Sequence, residues 1–186
     1  SSPANHHIER HTHLIFKRAL RKFKSDKRMW LQYIDYCKAH DSSKRLGAVY
    51  ADALALHPSS PELWIGAADW EYFTQGNVKA ARALMQSGIR VNGMCPDMYL
   101  QYFSMELHFS QKLRGRREIL QLGGIRGAAM DDDGAYNCDV AGVVYDEAVR
   151  RMPDDLSMRL RFLEACGGFP QTERLKGRIL DGLERD

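Results

Sequence analysis

YADALALHPSSPELW, residues 50–64, joins two features that recur along the chain: an aromatic residue followed three positions later by alanine, and a tryptophan at a fixed distance beyond that aromatic. The first feature has counterparts 34 to 35 residues away on either side, in Phe16-Lys17-Arg18-Ala19-Leu20 and Met85-Gln86-Ser87-Gly88-Ile89. A fixed period in this range is typical of stacked helical hairpins. We therefore predict a repeat protein whose inward side chains build the fold and whose surface is left for binding.

A second set of aromatic residues marks the other helix of each hairpin. Trp30, Trp64 and Tyr99 each follow the first signature at the same distance, and residues three and seven positions further on share one helical face. Large aromatics would fill the space between hairpins, and small residues at 19, 53 and 88 would let paired helices approach closely. The predicted repeat core consists of Phe16, Ala19, Trp30, Tyr33, Tyr50, Ala53, Trp64, Met85, Tyr99, Tyr102, Tyr145, Ala148 and Phe162.

The pattern predicts an all-α fold, specifically a right-handed α-solenoid of about four helical hairpins. Residues 1–13 are predicted to form an N-terminal lead-in segment, and residues 14–186 the repeat domain. The third hairpin is interrupted by extra residues rich in glycine and aspartate, which predict an inserted loop at about 121–138. Neither end of the chain resembles a polar cap, so we expect a piece of a longer protein or a member of an assembly that covers its ends.

Proline, glycine and asparagine residues punctuate this pattern. Pro58 is placed to close one helix, and Pro61 suits the first turn of the next. Gly76-Asn77 breaks the chain between two partner helices. Arg159 departs from the pattern. It has the same spacing from the signature residue Tyr145 as the second aromatics have from their own signatures, so the repeat predicts an aromatic side chain at this position.

Composition sets broad limits on function. A formal net charge of +3 over 186 residues permits contact with nucleic acid but does not demand it. No apolar stretch approaches the ~20 residues of a membrane span, and no secretory signal is visible. The cysteines are scattered without a CxxC pair, which favours reduced thiols in an intracellular compartment: Cys37, Cys95, Cys138 and Cys166.

Two basic clusters are candidates for a binding face. Contact with RNA phosphates or with a partner protein is one interpretation, and the solvated face of an amphipathic helix is the other. The signature aromatics are predicted to lie in the core, which leaves Trp70 and Tyr72 as the better surface aromatics. The basic residues are Lys17, Arg18, Arg21 and Lys22 in the first cluster, and Arg114, Arg116 and Arg117 in the second.

Two short motifs could in principle hold a metal ion. His11-x-His13 lacks the three or four ligands that a stable site requires, so a solvent-exposed segment leading into a helix is favoured. Asp131-Asp132-Asp133 lies in the glycine-rich insertion, and a charge run of this kind is usually a solvated loop. We therefore predict no metal site and no cofactor.

The motif Tyr99-Leu100-Gln101-Tyr102-Phe103-Ser104-Met105-Glu106 has the form aromatic-x-x-Tyr-x-x-x-Glu. Together with the arginine-rich partner helices it resembles the half-a-tetratricopeptide (HAT) repeat. The ordinary tetratricopeptide prefers Leu-Gly after its tryptophan, which Trp30 and Trp64 lack. HAT repeats occur chiefly as scaffolds in RNA-processing assemblies, and the resemblance implies such a role.

A closer resemblance covers residues 14 to 120 and continues more weakly from 140 to 186. The sequence there is similar to the U3 small nucleolar RNA-associated protein 6 family. This resemblance implies a subunit of the small-subunit processome in the nucleolus, with β-propeller proteins of one subcomplex as partners, and no known catalytic residues. The stretches that carry it are Phe23-Lys24-Ser25-Asp26, Trp30-Leu31-Gln32-Tyr33, Leu63-Trp64-Ile65-Gly66-Ala67-Ala68, Tyr102-Phe103-Ser104-Met105-Glu106-Leu107 and Gln111-Lys112-Leu113-Arg114.

The expected function is a non-catalytic scaffold of ribosome biogenesis that binds processome proteins during processing of the pre-18S ribosomal RNA in the nucleus. No nucleophile–base pair, P-loop or metal-ligand spacing suggests an enzyme or a small-molecule substrate. Two alternatives stay open. One is a module that binds pre-ribosomal or U3 RNA directly through its basic faces, and the other is a HAT scaffold of a splicing or 3′-end-processing complex.

Overall fold

A computed structural model describes residues 3–40, 42–122 and 138–184 of the chain. Within these ranges the chain forms nine α-helices and no strand, which confirms the all-α prediction. A π-helical turn, Trp70–Thr74, continues the fourth helix, and a 3₁₀ turn, Pro170–Thr172, precedes the last. The helices are α1 Pro3–Lys22, α2 Lys27–Ala39, α3 Ser43–Leu56, α4 Pro61–Asp69, α5 Val78–Val91, α6 Pro96–Leu122, α7 Asp139–Arg151, α8 Leu156–Cys166 and α9 Glu173–Leu183.

Several helix ends lie where the sequence predicts them. Pro58 follows the end of α3, and Pro61 is the first residue of α4, where its missing N–H has no helical partner to lose. Gly76 adopts a φ of +67°, a left-handed conformation that glycine tolerates without strain. The side chain of Asn77 then caps α5 by accepting a hydrogen bond from the backbone N–H of Ala80 at 3.2 Å.

Helices pack mainly against their neighbours in the chain. Each of α1 to α5 contacts the next helix, α6 contacts α7, and α8 contacts α9. In addition, α4 contacts α6 and α6 contacts α8, so the helices that carry the second aromatic signature also stack on one another. This order of contacts builds the molecule pair by pair rather than around one central element.

The buried side chains form two clusters that meet near the middle of the chain. One is built from α1 to α4 and includes Tyr33 and Tyr50, and the other extends from α4 to α9 and includes Tyr99 and Phe162. Trp64 and Leu84 pack against both clusters. Of the predicted core residues, ten are buried, and Phe16, Ala19 and Trp64 are not fully so; the ten are Trp30, Tyr33, Tyr50, Ala53, Met85, Tyr99, Tyr102, Tyr145, Ala148 and Phe162.

Helices α4, α5 and α6 approach closely at Gly88. A Cβ atom at this position would lie 2.4 Å from the Cε of Met98 and 2.9 Å from the Cβ of Trp64. Contacts this short cannot form between real side chains, so only glycine fits without a shift of its neighbours. The small residue of the signature therefore sets the distance between helices here.

A hydrogen bond to the connecting loop recurs in successive repeats. The side chain at the second aromatic signature donates to the backbone carbonyl six residues earlier, at the loop that leads into its helix. We call this contact the loop clamp, and it satisfies a carbonyl that no helix pairs. The clamps join Trp30 to Lys24 at 3.0 Å, Trp64 to Pro58 at 2.8 Å and Tyr99 to Gly93 at 3.1 Å.

Arg159 makes the same loop clamp without an aromatic ring. Its guanidinium Nη2 donates to the carbonyl of Pro153, again six residues earlier, at 2.6 Å, and its Nη1 donates to the carbonyl of Gly182 at 3.2 Å. The residue is only 5% exposed. Position 159 therefore differs from the repeat pattern in residue type but not in the hydrogen bond that it makes, because the long arginine side chain carries a donor to the same loop carbonyl.

Two expectations from the sequence are wrong at single residues. His13 was expected to be exposed but is buried, because its ring packs edge-on against Tyr33 and Tyr36 of α2. Tyr72 was expected at the surface but is buried, because the π-helical turn brings it into the second cluster. The same turn begins with Trp70, whose indole lies so close to Gly47 that a Cβ atom there would be 3.1 Å from it.

The predicted domain boundaries fall within helices or outside the described residues. Helix α1 begins at Pro3, so it crosses the predicted boundary between residues 13 and 14. Helix α6 extends to Leu122, into the first two positions of the predicted insertion. The remainder of the insertion up to residue 137, with Asp131-Asp132-Asp133, lies outside the described residues.

Candidate partner-binding groove

The first predicted basic cluster divides between two faces of α1. Lys17 and Arg21, one helical turn apart, line an open groove of about 600 Å³ between α1 and α3. Arg18 and Lys22 are also exposed but do not line the groove. The four residues are close together in the sequence, but the helix places two of them at the groove and two away from it.

The opposite wall and the end of this groove add further cations. Lys44 and Arg45, near the start of α3, face the groove, and Lys24 lies in the loop after α1. Asp52 is the one carboxylate among the lining side chains of the described chain. The groove lined by α1 and α3 is called the basic groove below.

Apolar side chains form the floor of the basic groove. Leu20, Trp30, Tyr33 and Val49 line it, and each is at most 6% exposed. Because both aromatic rings are almost wholly buried in the core, neither presents an open face to the groove. Trp30 donates its Nε1–H to the Lys24 carbonyl, and the Tyr33 hydroxyl lies 3.1 Å from a ring nitrogen of His13.

The cations of the basic groove differ from other cations of the molecule in their partners. Within the described ranges, none of the five is in an ion pair with a carboxylate. Elsewhere many surface cations are compensated, as in Lys27 with Glu62 and Arg161 with Asp97. The groove therefore concentrates positive potential above an apolar surface of low dielectric constant.

His13 fixes the position of the α1 wall. Its Nδ1 lies 3.1 Å from the Tyr33 hydroxyl of α2, and its Nε2 lies 3.3 Å from the Ser42 hydroxyl that precedes α3. Burial lowers the pKa of His13 below its ordinary value, and the nearby Arg45 lowers it further. The neutral imidazole thus joins α1 to two other elements.

The second predicted basic cluster is not part of this groove. Arg114 and Arg116 are exposed on α6, and Arg117 beside them is partly buried. Helix α6 contributes no lining residue to the basic groove. The structure therefore does not bring the two predicted clusters together at one groove.

Two further grooves lie between other helices of the same type, and their chemistry differs. The groove of about 640 Å³ between α7 and α9 has arginine residues, but Arg178 pairs with Asp146 and Arg159 is occupied by its loop clamp. The groove of about 390 Å³ between α3 and α5 is lined largely by small residues such as Gly47 and Ala83. Neither combines several uncompensated cations with an apolar floor.

The glutamate of the HAT-like motif has a structural partner. Glu106 is 3% exposed and accepts two hydrogen bonds of 2.7 Å from the guanidinium of Arg82 on α5. Arg82 also lies over the ring of Phe109, with 4.8 Å between the guanidinium carbon and the ring centroid. This bidentate pair ties α5 to α6 and is committed to packing rather than to binding.

Within the described ranges, no group of three or more His, Cys, Asp or Glu side chains is arranged to hold a metal ion. The four cysteines are free, and burial raises the pKa of Cys166 to about 11, which keeps its thiol protonated and unreactive. No helix in the described part of the chain has both the length and the apolar character to cross a membrane.

Comparison with known proteins shows clear relatives. Over 171 residues, or 91% of its length, the chain is 39% identical to the human U3 small nucleolar RNA-associated protein 6 homolog. It is 40% identical over 106 residues, 57% of its length, to U3 small nucleolar RNA-associated protein 6 of Schizosaccharomyces pombe. These matches cover 28% and 22% of the two relatives, so the chain spans about a quarter of their length. No family model matches the chain.

The match to the human protein is long enough to take in residues of both core clusters and of the basic groove. The chain belongs to the U3 small nucleolar RNA-associated protein 6 family. A Dictyostelium discoideum relative of the same name is 31% identical over 100 residues, 54% of the chain and 16% of the relative. The family predicted from the repeat motifs is confirmed.

Sequence reasoning missed part of the basic groove. Lys44 and Arg45 were not among the predicted binding residues, although their adjacent charges near a helix start were a visible signal. What the sequence could not show was the face of α3 on which they lie. The separation of Lys17 from Arg18 required the same knowledge of helix orientation.

Proposed function

We propose that this chain is a segment of a non-catalytic scaffold in ribosome biogenesis, which binds proteins of the small-subunit processome during pre-18S ribosomal RNA processing. The observation that carries the proposal is the 39% identity, over 91% of the chain, to a relative named for its association with U3 small nucleolar RNA. The proposed place of action is the nucleolus, which the name of that RNA indicates.

The architecture proposed for this scaffold is a right-handed solenoid of HAT hairpins. Support comes from the contacts between chain neighbours and from the loop clamps at 30, 64, 99 and 159, which give successive hairpins the same junction. Stacked repeats of this kind expose long continuous surfaces suited to extended partners.

The proposed partners are β-propeller subunits of the processome subcomplex and other processome proteins. The family resemblance supplies this expectation, and the basic groove supplies a surface that could receive a protein segment. Direct contact with pre-ribosomal or U3 RNA is the second candidate function, and the uncompensated cations of the groove are the observation in its favour. Against it, Trp30 and Tyr33 offer no open ring face on which a base could stack.

Affinity purification of the tagged full-length protein from cells, with mass spectrometry and RNA sequencing of the eluate, tests the proposal. The expected result is a large particle with U3 small nucleolar RNA, pre-18S sequences and β-propeller proteins, and a nucleolar signal by microscopy. Enrichment of spliceosomal small nuclear RNAs or 3′-end-processing factors without U3 RNA would instead support the splicing or 3′-end scaffold and contradict the proposal.

A further inference from the structure

We propose that the basic groove binds an acidic peptide segment of a partner protein, with apolar side chains of the peptide on the groove floor and its carboxylates against the two walls. The inference rests on the scaffold function proposed above and gives the chemistry of one partner contact. It is carried by a juxtaposition: five cations without carboxylate partners among the described residues surround a floor of buried apolar side chains.

The walls determine the charge of the occupant. Lys17 and Arg21 on α1 face Lys44 and Arg45 on α3 across the groove, and Asp52 alone offsets them among the lining residues. Like charges gathered in one concave site repel one another, and an acidic ligand relieves that repulsion. Charge complementarity therefore favours carboxylates along both edges of the bound segment.

The floor determines the remaining character of the occupant. Leu20, Trp30 and Val49 form its buried base with no donor or acceptor left over, because the Trp30 Nε1–H already serves the loop clamp to Lys24. The apolar surface that a ligand can cover comes from the exposed lining residues Ala48, Ala55 and Leu56. Water over such a surface is released favourably when apolar side chains cover it. A segment that is only charged would leave this surface uncovered.

A nucleic acid fits this combination less well. Phosphates could reach the wall cations, but bases would need exposed ring faces or free polar groups on the floor. Tyr33 is 2% exposed and its hydroxyl is engaged with His13. An alternating acidic and apolar peptide uses both walls and floor, so it is the occupant that the groove favours.

The first experiment uses a matched pair of double variants on one helix. Lys17→Glu with Arg21→Glu reverses the charge of the groove wall, and Arg18→Glu with Lys22→Glu makes the same change one position along, off the groove. All four side chains lie at the surface of α1, so both variants should fold, which circular dichroism verifies. The probe is a random dodecapeptide library displayed on phage and selected on the purified chain.

The expected result is enrichment of peptides that interleave Asp or Glu with Leu, Ile or Phe. Their affinity should fall about tenfold or more for the groove pair and stay within about threefold for the control pair, because charges that contact the ligand matter more than remote ones. Enrichment without acidic residues, absence of enrichment, or equal losses in both pairs would overturn the proposal.

A third variant and a second probe separate the peptide from RNA. Ala48→Glu adds a carboxylate to the groove lining on α3 and should weaken the selected peptides as the wall variant does. A labelled oligouridine of about 20 nucleotides should bind weakly at about 150 mM salt. Submicromolar RNA binding that only the groove pair abolishes would overturn the peptide proposal. Because these assays use the purified chain, their outcome is independent of whether the protein co-purifies with U3 RNA.

Discussion

At the scale of single residues, the loop clamp shows that a repeat position can be defined by what its side chain donates. We predict that Arg159→Met lowers the free energy of unfolding by about 1–3 kcal/mol, because the carbonyls of Pro153 and Gly182 lose a charged donor in a partly buried setting. Urea denaturation measures this. The control is Arg161→Met, whose exposed ion pair with Asp97 should contribute less than about 1 kcal/mol. Equal losses would contradict a structural role for the clamp.

Glycine at the signature position gives a second test at this scale. We predict that Gly88→Ala destabilises the chain by about 1–3 kcal/mol, because the new methyl group would overlap Met98 and Trp64. Gly177→Ala is the control, since nothing lies within 4 Å of a Cβ atom there and α9 should gain about 0.5–1 kcal/mol from the loss of a helical glycine. Changes of the same sign in the two variants would show that the close approach is not limiting.

The buried pair Arg82–Glu106 supplies a third residue-scale prediction. Arg82→Ala should cost about 3 kcal/mol, because it leaves the Glu106 carboxylate buried without its counter-ion. The double variant with Glu106→Leu should recover much of that loss, and thermal unfolding of the three proteins measures both steps. A double variant as unstable as the single one would indicate that lost packing dominates.

Residue type could be predicted only where periodicity constrains it. The spacing of the two signatures predicts that Tyr33, Tyr50 and Tyr99 face inward, since one face of each helix must be covered, and all three are buried. It failed for Tyr72, because a π-helical turn shifts the face by part of a turn and leaves no clear trace in the sequence. It also gave no hint that Arg159 could replace an aromatic donor.

At the scale of elements, the attachment of α1 should depend on pH. Because burial lowers the pKa of His13 in the folded chain, the unfolded chain binds the proton more tightly. The stability that neutral His13 contributes is thus present above pH of about 6.5 and is lost as the pH falls from there toward the folded pKa.

The measurement is urea unfolding of the wild type and of His13→Gln at neutral and mildly acidic pH. Glutamine can still hydrogen-bond with Tyr33 and Ser42 but does not titrate, so the stability advantage of the wild type should shrink on acidification. Because the two proteins differ only at residue 13, the difference between them isolates the contribution of that residue. An advantage that stays constant or grows would contradict the assignment of a neutral, buried His13.

Helix boundaries could be predicted well and helix lengths less well. Pro58, Pro61 and Gly76-Asn77 act locally, through a missing N–H or a positive φ, so their effects are legible in the sequence. The 27-residue length of α6 is not legible in this way, because its second half extends beyond the repeat signature and has no local stop signal of this kind. The groove cations could be predicted only in part, because the sequence located a basic helix at α1 but did not show which of its faces lines the groove.

At the scale of the whole molecule, Trp64 should couple the two core clusters. We predict that Trp64→Ala lowers stability by about 3 kcal/mol and splits unfolding into two transitions, because the side chain packs against both clusters. Trp64→Phe removes chiefly the donor to Pro58, should cost about 1 kcal/mol and should preserve a single transition. A single sharp transition in both variants would mean that other contacts carry the coupling.

The most direct test of the scaffold function is cross-linking of the purified native particle at the basic groove. Zero-length coupling with a carbodiimide joins amines to carboxylates in contact, and Lys17, Lys24 and Lys44 line the groove. The predicted result is lysine cross-links from these positions to Asp or Glu residues of a partner protein, with no ultraviolet cross-link of RNA to α1 or α3. Ultraviolet cross-links of RNA to the groove, without protein cross-links there, would contradict the claim that this surface holds protein partners.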